Sequence, residues 1–228
     1  MVVIGNVKVL SATKNPLEFM GMVAGICWGA DVSNAEANVR RALDCIKSGH
    51  GRVTEYADVT VSIKGYSAKV IREWYTHIGG SPSRLQESTR YIDFTKTGVD
   101  CVVPPSIERN QDAKEIYNKT VGVIADSLGK LKELGIPNED RTMILPLAMK
   151  TGIVDKRNLR NIGSMVEQRL CSRAYWEYRN ELMKDYLQAL SEIDEQWKWL
   201  VDNYLKVKCD KLGYCPEARG CGKFPHKK

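Results

Sequence analysis

The sequence has no apolar run that approaches the roughly 20 residues a helix needs to cross a bilayer, so we predict no membrane span and no membrane partner. No basic flank followed by a long apolar block stands near Met1, and we therefore expect no secretory signal. Internal repeats and low-complexity tracts are also missing. With 43% hydrophobic residues in a chain of 228, these features exclude a mainly disordered protein and predict one sizeable soluble core.

Cysteines are few and irregularly spaced. Their total of seven is odd, and without an export signal we interpret them as reduced thiols in the cytoplasm. Three of them, Cys209, Cys215 and Cys221, lie in a tail at residues 207–228, which we separate from a single domain at residues 1–206. Their spacing fits zinc poorly, because zinc sites usually pair cysteines about two to four residues apart. We predict no metal site, with these tail cysteines as the alternative.

Several common active-site motifs are also absent, namely G-x-G-x-x-G, the P-loop and a Ser-His-Asp order. The net charge of +6 and the pI near 8.9 nevertheless suit an anionic partner such as a nucleotide, a phosphorylated cofactor or a nucleic acid. A non-enzymatic, basic, helical nucleic-acid-binding protein therefore stays open as an alternative. Charge is its only support, since no basic patch interleaved with aromatic residues is present, and we predict no nucleic-acid partner.

Hydrophobic periodicity predicts an α+β fold, an antiparallel sheet flanked by helices. Residues 57–64 alternate between apolar and polar, which is typical of a half-buried strand. The β-branched start that includes Val2, Val3 and Ile4 predicts an earlier strand. Residues 79–83 read as a loop and residues 90–94 as extended.

Helix signals fill most of the rest of the chain. Ser33 and Glu36 have the form of a capping box, and Ser67 is placed to cap a further helix. A long helix is predicted over residues 107–134, and a very long C-terminal helix over residues 156–203. We expect the apolar stripe of this last helix to lie in the core or at a subunit interface.

Arg169 lies on that stripe, at helical spacing from Ile162, Met165 and Val166. Its guanidinium should therefore face the core or a cleft, where an unpaired charge costs on the order of several kcal/mol. Two kinds of partner stay open: an internal carboxylate, or a phosphate or nucleobase.

Other polar residues form weaker patterns. Ser88 and Arg90 would point the same way on an extended backbone, and a hydroxyl beside a guanidinium suits a phosphate. Arg141 either pairs with a nearby acid or contacts a nucleotide. His50 and His77 stand at a turn and at a helix end, where each is a base, a cofactor contact or simply a cap.

Five short segments carry a resemblance when taken in order. They are Gly49-His50 with Thr54-Glu55, Ser88-Thr89-Arg90-Tyr91, Arg141 to Pro146, Asn158 to Arg160 followed by Arg169, and Ala174 to Glu177. The second resembles the S-x-R-Y end of the signature R-H-R-x7-S-x-R-Y. Together they make the chain similar, over residues 35–180, to the flavin-dependent thymidylate synthases.

The chain departs from that family's pattern at a few positions. Only His77 of the R-H-R triplet is kept, and nine residues rather than seven separate Ile78 from Ser88. Gln86 replaces a glutamate and Glu73 replaces a glutamine. Exchanging a carboxylate and an amide changes the donors and acceptors offered to a pyrimidine ring. A related flavin- and folate-dependent modification of another pyrimidine nucleotide, such as dCMP, or a hydroxymethylation, therefore stays open.

The resemblance implies an enzyme that methylates dUMP to dTMP. It implies bound FAD, NADPH as reductant and methylene-tetrahydrofolate as carbon donor, in a homotetramer whose active sites are shared between chains. Arg169 would be the catalytic residue, favouring negative charge on the pyrimidine. The implied dUMP-binding residues are Glu73, Gln86, Ser88, Thr89, Arg90, Tyr91, Arg141 and Arg169. The implied FAD-binding residues are His50, His77, Asn158, Arg160 and Ser164.

Overall fold

A four-stranded antiparallel sheet organises the protein, as a computed structural model shows for residues 5–80 and 82–226. Its strands, in the spatial order β1-β2-β4-β3, are β1 (Asn6–Ala12), β2 (Asp58–Ser67), β3 (Ser83–Gln86) and β4 (Lys150–Asn158). The predicted α+β class is confirmed. Val2, Val3 and Ile4 of the predicted first strand, and Ser81 of the predicted loop, lie outside the described residues.

Helices occupy most of the remaining described chain. The first six are α1 (Pro16–Cys27), α2 (Ala35–Lys47), α3 (Ala68–Tyr75), α4 (Phe94–Thr97), α5 (Pro105–Glu108) and α6 (Gln111–Glu133). The next five are α7 (Asn138–Arg141), α8 (Leu159–Arg169), α9 (Met183–Ser191), α10 (Glu195–Asn203) and α11 (Lys208–Leu212). Short 3-10 helices at Gly51–Glu55 and Thr142–Ile144, and a π-helical turn at Tyr178–Leu182, complete the set. Among the described helices, none is long and apolar enough to cross a membrane.

The core lies on one face of the sheet. Val59, Val61 and Ile63 of β2 are fully buried, and the alternating residues between them are partly exposed, so the predicted half-buried strand is confirmed. The residues packed against them come mainly from α8 and from the helices that follow it: Ile162, Met165, Leu182, Tyr186, Leu190, Trp197 and Leu200. The other face keeps Leu85 and Val154 exposed within the chain.

Helix caps follow the sequence closely. Ser67 caps α3 as predicted, its Oγ accepting a hydrogen bond from the backbone N–H of Val70 at 3.1 Å. The cap of α2 is Asn34 rather than the predicted Ser33, and its side chain accepts from the N–H of Ala37 at 2.9 Å. Asparagine and serine are about equally good N-caps, so composition alone did not separate the two positions.

The predicted C-terminal helix over residues 156–203 is wrong. Its start belongs to β4, and the rest is divided among α8, the π-helical turn, α9 and α10. Asn158 begins α8, accepting from the N–H of Asn161 at 2.9 Å, and Asp194 begins α10, accepting from the N–H of Trp197 at 2.8 Å. Each cap marks a new helix, because a side chain that satisfies free N–H groups belongs at a helix start.

Candidate functional site

A cleft of about 490 Å³ opens where β4 ends and α8 begins. We call it the α8 cleft. The lining residues that matter here are Thr76, His77, Asn158, Arg160, Ser164 and Gln168. Four of the five predicted FAD-binding residues are among them. The fifth, His50, immediately precedes the 3-10 helix whose Glu55 pairs with Arg160.

Arg169 stands at the edge of this cleft and makes three polar contacts. Its Nε donates to His77 Nε2 at 2.8 Å, and its Nη2 donates to Thr76 Oγ1 at 3.0 Å. Its Nη1 lies 3.2 Å from Glu73 Oε2, and its guanidinium carbon lies 5.0 Å from the centre of the Tyr178 ring. Of the two partners that the sequence left open, the structure shows the internal carboxylate, while 19% of the arginine side chain stays exposed.

His77 accepts a hydrogen bond from Arg169, which requires an unprotonated Nε2. Burial and the charges of Arg169 and Arg157 lower its pKa from the ordinary 6.5 to about 4. The imidazole is therefore neutral near pH 7, with its proton on Nδ1. Because His77 is neutral and accepts a hydrogen bond, the positive charge at this edge of the cleft belongs to the guanidinium of Arg169.

A buried ion pair holds two of the residues that line the α8 cleft, His77 and Asn161. Arg157 Nε lies 2.6 Å from Asp155 Oδ2, and both side chains are fully buried. Arg157 Nη1 also donates to the backbone carbonyl of His77 at 2.9 Å and to Asn161 Oδ1 at 2.6 Å. Asn161 in turn donates to the carbonyl of Gly79. Asp155 and Arg157 were not among the residues predicted from the sequence, although their spacing of two fits one face of a strand.

The predicted phosphate-binding segment lies elsewhere. Residues 90–94 are not extended as predicted, because the N–H groups of Tyr91 and Ile92 both bond to the carbonyl of Ser88 and close a turn. We call residues 88–93 the 88–93 turn. Ser88 Oγ accepts from the N–H of Arg90 at 3.3 Å, and Tyr91 is 80% exposed.

Helix α7 holds the 88–93 turn in place. The side-chain amide nitrogen of Asn138 lies 2.8–2.9 Å from the carbonyl oxygens of Thr89, Arg90 and Ile92. Arg141, which is 8% exposed, donates through Nη2 to Asp93 Oδ1 at 3.1 Å. Asn138 is a site residue that sequence reasoning missed, because no local pattern connects it to carbonyls that lie 46 to 49 residues away.

Arg90 and Asp93 add charged contacts to the same turn. Arg90 Nε lies 3.4 Å from Glu139 Oε2, and its guanidinium carbon lies 5.5 Å from the centre of the Tyr91 ring. Lys132 Nζ lies 2.7 Å from Asp93 Oδ2, and this hydrogen bond, with those from Thr95, holds the pKa of Asp93 well below its ordinary range. The Arg90 pair is solvent-exposed, so its guanidinium can exchange Glu139 for another anion at little cost.

Within one chain, the two groups of predicted residues stay apart. Asn158 ends β4, whereas Gln86 pairs with Ile153 and Glu87 N–H bonds to the carbonyl of Gly152. Six residues of strand separate these levels, which is about 20 Å at the rise of a β-strand. Arg169 lies beside the α8 cleft through its contacts with Thr76 and His77. Glu73 lies there as the ion-pair partner of Arg169. The other predicted dUMP residues, Gln86, Ser88, Thr89, Arg90, Tyr91 and Arg141, lie at or beside the 88–93 turn.

The tail cysteines Cys209, Cys215 and Cys221 were the alternative metal ligands predicted from the sequence. Among residues 5–80 and 82–226, no group of three or more histidine, cysteine or acidic side chains is placed to hold a metal ion. All seven cysteines, each within the described ranges, are free thiols. The alternative metal site on Cys209, Cys215 and Cys221 stays an untested prediction.

Comparison with known families decides the classification. A family model described as "Thymidylate synthase complementing protein" matches residues 8–194. The chain belongs to the flavin-dependent thymidylate synthase family. A flavin-dependent thymidylate synthase from Pyrococcus furiosus is 32% identical, over 97% of this chain and 95% of its own length. Another, from Nitratidesulfovibrio vulgaris, is 31% identical over 79% of this chain and 74% of its own length.

The fold of the family is shared as well. A crystal structure of a flavin-dependent thymidylate synthase from Helicobacter pylori, complexed with FAD and dUMP, superposes with a TM-score of 0.69 at 20% identity. The match covers 88% of this chain and all of the other. The resemblance that the five sequence segments carried is confirmed, and the protein is an enzyme of this family.

Proposed function

We propose that the protein methylates dUMP to dTMP in the cytoplasm, with methylene-tetrahydrofolate as carbon donor and NADPH as reductant. Family membership supports the reaction class. The observation that carries the proposal is the pair of separate half-sites, each with the donors that one part of the reaction needs. The α8 cleft offers amide, hydroxyl and guanidinium groups, and the 88–93 turn offers a hydroxyl and an exchangeable guanidinium.

The α8 cleft fits FAD by the chemistry of its lining. Arg160, Asn158 and Ser164 give donors for phosphate and sugar oxygens at the start of a helix, where the helix dipole also favours anions. Gly80 adopts φ +73°, and an added Cβ would come within 2.9 Å of Asn158 Nδ2, so the loop closes directly on this cap. When bound, FAD supplies the hydride that completes the methyl group after its reduction by NADPH.

The 88–93 turn is proposed to bind the dUMP phosphate. Ser88 would donate its hydroxyl proton, and Arg90 would exchange Glu139 for the phosphate, which accepts stronger, bidentate hydrogen bonds. Tyr91, largely exposed in the single chain, would pack on the pyrimidine, while Gln86 would contact its edge. Because the Arg141 guanidinium faces Asp93, we assign Arg141 to positioning the turn.

Arg169 is proposed to act on the pyrimidine of the nucleotide. A fixed positive charge beside the carbonyl edge favours the negative charge that builds up when C5 becomes nucleophilic. Glu73, Thr76 and His77 hold the guanidinium in one orientation before substrate binds, so little reorganisation is needed. Ser88 is not assigned as a nucleophile, because no general base lies against it in the described structure.

The two half-sites lie at positions along β4 that are about 20 Å apart in one chain, so a second chain is needed for them to meet around one substrate. We therefore propose the homotetramer with shared sites that the resemblance implies. Large apolar side chains exposed on the single chain support this assembly. They are Ile78, Leu85, Tyr91, Ile116, Leu134 and Met143. Such residues are typical of surfaces that are buried between subunits.

The test begins with the colour of the purified protein. We expect a flavin absorption spectrum, and conversion of dUMP to dTMP that requires both methylene-tetrahydrofolate and NADPH, followed by chromatography with mass detection. Parallel reactions with dCMP test the alternative substrate, and the product mass separates methylation from hydroxymethylation. Turnover of dCMP alone would overturn the proposal in favour of that alternative. A colourless protein that binds nucleic acid would overturn both.

A further inference from the structure

A second cleft, of about 600 Å³, lies between the end of α8 and the C-terminal tail. We call it the tail cleft. One wall runs from Glu167 to Ala174 and includes Arg179, and the other is formed by residues 207–223. The tail wall is fixed by ion pairs: Lys211 Nζ lies 2.8 Å from Glu167 Oε1, and Arg173 pairs with Glu217. The cleft is therefore a built feature of the chain.

The tail cleft is strongly basic. Its lining includes six cationic side chains and two acidic ones: Arg169, Arg173, Arg179, Lys208, Arg219 and Lys223 against Glu167 and Glu217. Arg169, Arg173 and Lys223 have carboxylate partners. Among residues 5–80 and 82–226, Lys208 and Arg219 have no hydrogen bond or ion pair, and Arg179 bonds only to neutral oxygens of Ser172 and Asn180. Within these described ranges, three cations thus line one cleft without a carboxylate partner of their own.

This cleft adjoins the α8 cleft. Gln168 lines both the tail cleft and the α8 cleft. Arg169 lines the tail cleft while its guanidinium bonds to His77 of the α8 cleft. A ligand whose reacting end lies in the α8 cleft can therefore extend a charged end past Arg169 toward Lys208 and Arg219.

We propose that the tail cleft binds the multiply anionic end of a co-substrate whose reacting end occupies the α8 cleft. The proposal rests on the proposed function. Guanidinium and ammonium groups without internal partners bind oxyanions, and both carboxylates and phosphates fit them. Two co-substrates offer this chemistry: the glutamate carboxylates of the folate and the 2′-phosphate of NADPH. The family model match ends at residue 194, so the tail wall lies beyond it.

The experiment compares the holoenzyme with the double variant Lys208→Gln/Arg219→Gln. The matched control is Arg109→Gln/Lys119→Gln, which removes the same charge from exposed positions that line neither cleft. For each protein, KM is measured for methylene-tetrahydrofolate with one and with five glutamates, and for NADPH and NADH. If the folate is the ligand, the wild type should prefer the pentaglutamate at least tenfold, and only the tail variant should lose this preference. If NADPH is the ligand, the loss should fall on the NADPH-to-NADH ratio instead.

Retention of both ratios in the tail variant would overturn the proposal. Direct binding keeps the test independent of turnover: γ-pentaglutamate and inorganic pyrophosphate are titrated into the same three proteins by calorimetry. Binding that weakens in the tail variant alone, and weakens further as salt rises, supports the cleft even if dUMP is not the substrate. Equal binding by all three proteins, or by none of them, counts against it.

Discussion

Arg169 lies where two elements of the fold meet. The residues that hold its guanidinium, Glu73 and His77, come from α3 and the loop after it, whereas Arg169 itself ends α8. A guanidinium held by three neighbours is already oriented before a ligand arrives. Its side chain is 19% exposed, so the guanidinium remains accessible to a ligand.

Replacing Arg169 by alanine should reduce dUMP affinity by tenfold or more, which corresponds to about 1.4 kcal/mol. Hydrogen bonds to charged groups are worth about that much or more. Isothermal titration of the flavin-loaded protein measures the loss. Arg40→Ala, an exposed arginine on α2 paired with Glu36, is the control and should bind dUMP normally. Unchanged affinity in the Arg169 variant would remove it from the site.

His77 predicts a pH dependence of stability. Its pKa is about 4 in the folded protein and 6.5 ordinarily, so between these values the unfolded chain binds a proton that the folded chain does not. The free energy of unfolding therefore falls as pH drops from 6.5 toward 4. His77→Gln lacks this contribution, and the Tm difference between wild type and variant should be smaller at pH 5 than at pH 7. A difference that is constant with pH would mean that folded His77 is protonated like a free imidazole.

At the scale of elements, the start of α8 combines a structural role with a proposed role in FAD binding. Asn158 is the last residue of β4, the N-cap of α8 and a lining residue of the α8 cleft. The cap satisfies a free N–H group, and its neighbours Arg160 and Ser164 face the same space. Stability and cofactor binding should therefore depend on this strand-to-helix junction together.

Asn158→Ala should lower the free energy of unfolding by about 1 kcal/mol, the usual cost of losing an N-cap, and should also reduce FAD content. Asn34→Ala at the start of α2 is a matched control, because Asn34 makes the same bond to an N–H three residues on. We expect a similar loss of Tm in both variants but full FAD occupancy only in the control. Calorimetry and the flavin absorbance of purified protein measure the two effects. Equal FAD content in both variants would contradict a cofactor role for this cap.

At the scale of the whole molecule, the sheet separates the half-sites along its strands. The α8 cleft lies at the C-terminal end of β4. Strand β3 runs antiparallel to β4, so the 88–93 turn, which follows the C-terminal end of β3, lies toward the other end of β4. Assembly of several chains can bring one half-site of each kind together. In a symmetric homo-oligomer, an isologous interface can place the α8 cleft of one chain against the 88–93 turn of another.

Complementation tests this arrangement. Arg90→Ala impairs one half-site and Arg169→Ala the other, so each homogeneous protein should lose most activity. When the two are unfolded and refolded together, about a quarter of randomly assembled shared sites should have both halves intact. Thymidylate formation should recover accordingly. The double variant Arg90→Ala/Arg169→Ala, refolded alone, is the control. No recovery, in a mixture shown to contain hybrid oligomers, would mean that each site is made by one chain.

Local sequence pattern determined those parts of the protein whose contacts are short-range or apolar. The alternation of β2, the Ser67 cap and the family segments could all be recognised, because each depends on neighbours a few residues apart. The helix predicted over residues 107–134 was recognised for the most part, but its start was misplaced, since Asn110 caps α6 and residues 105–108 form the separate α5. Tertiary structure alone decided that residues 150–158 form a strand. Besides Thr151 and Ile153, the inward positions there include Asp155 and Arg157. The burial of these two charges depends on partners such as the His77 carbonyl, 80 residues from Arg157. A charged residue in a sequence is predicted to be exposed unless its partner is known. Here the partner is distant in the sequence, so only the folded chain shows it.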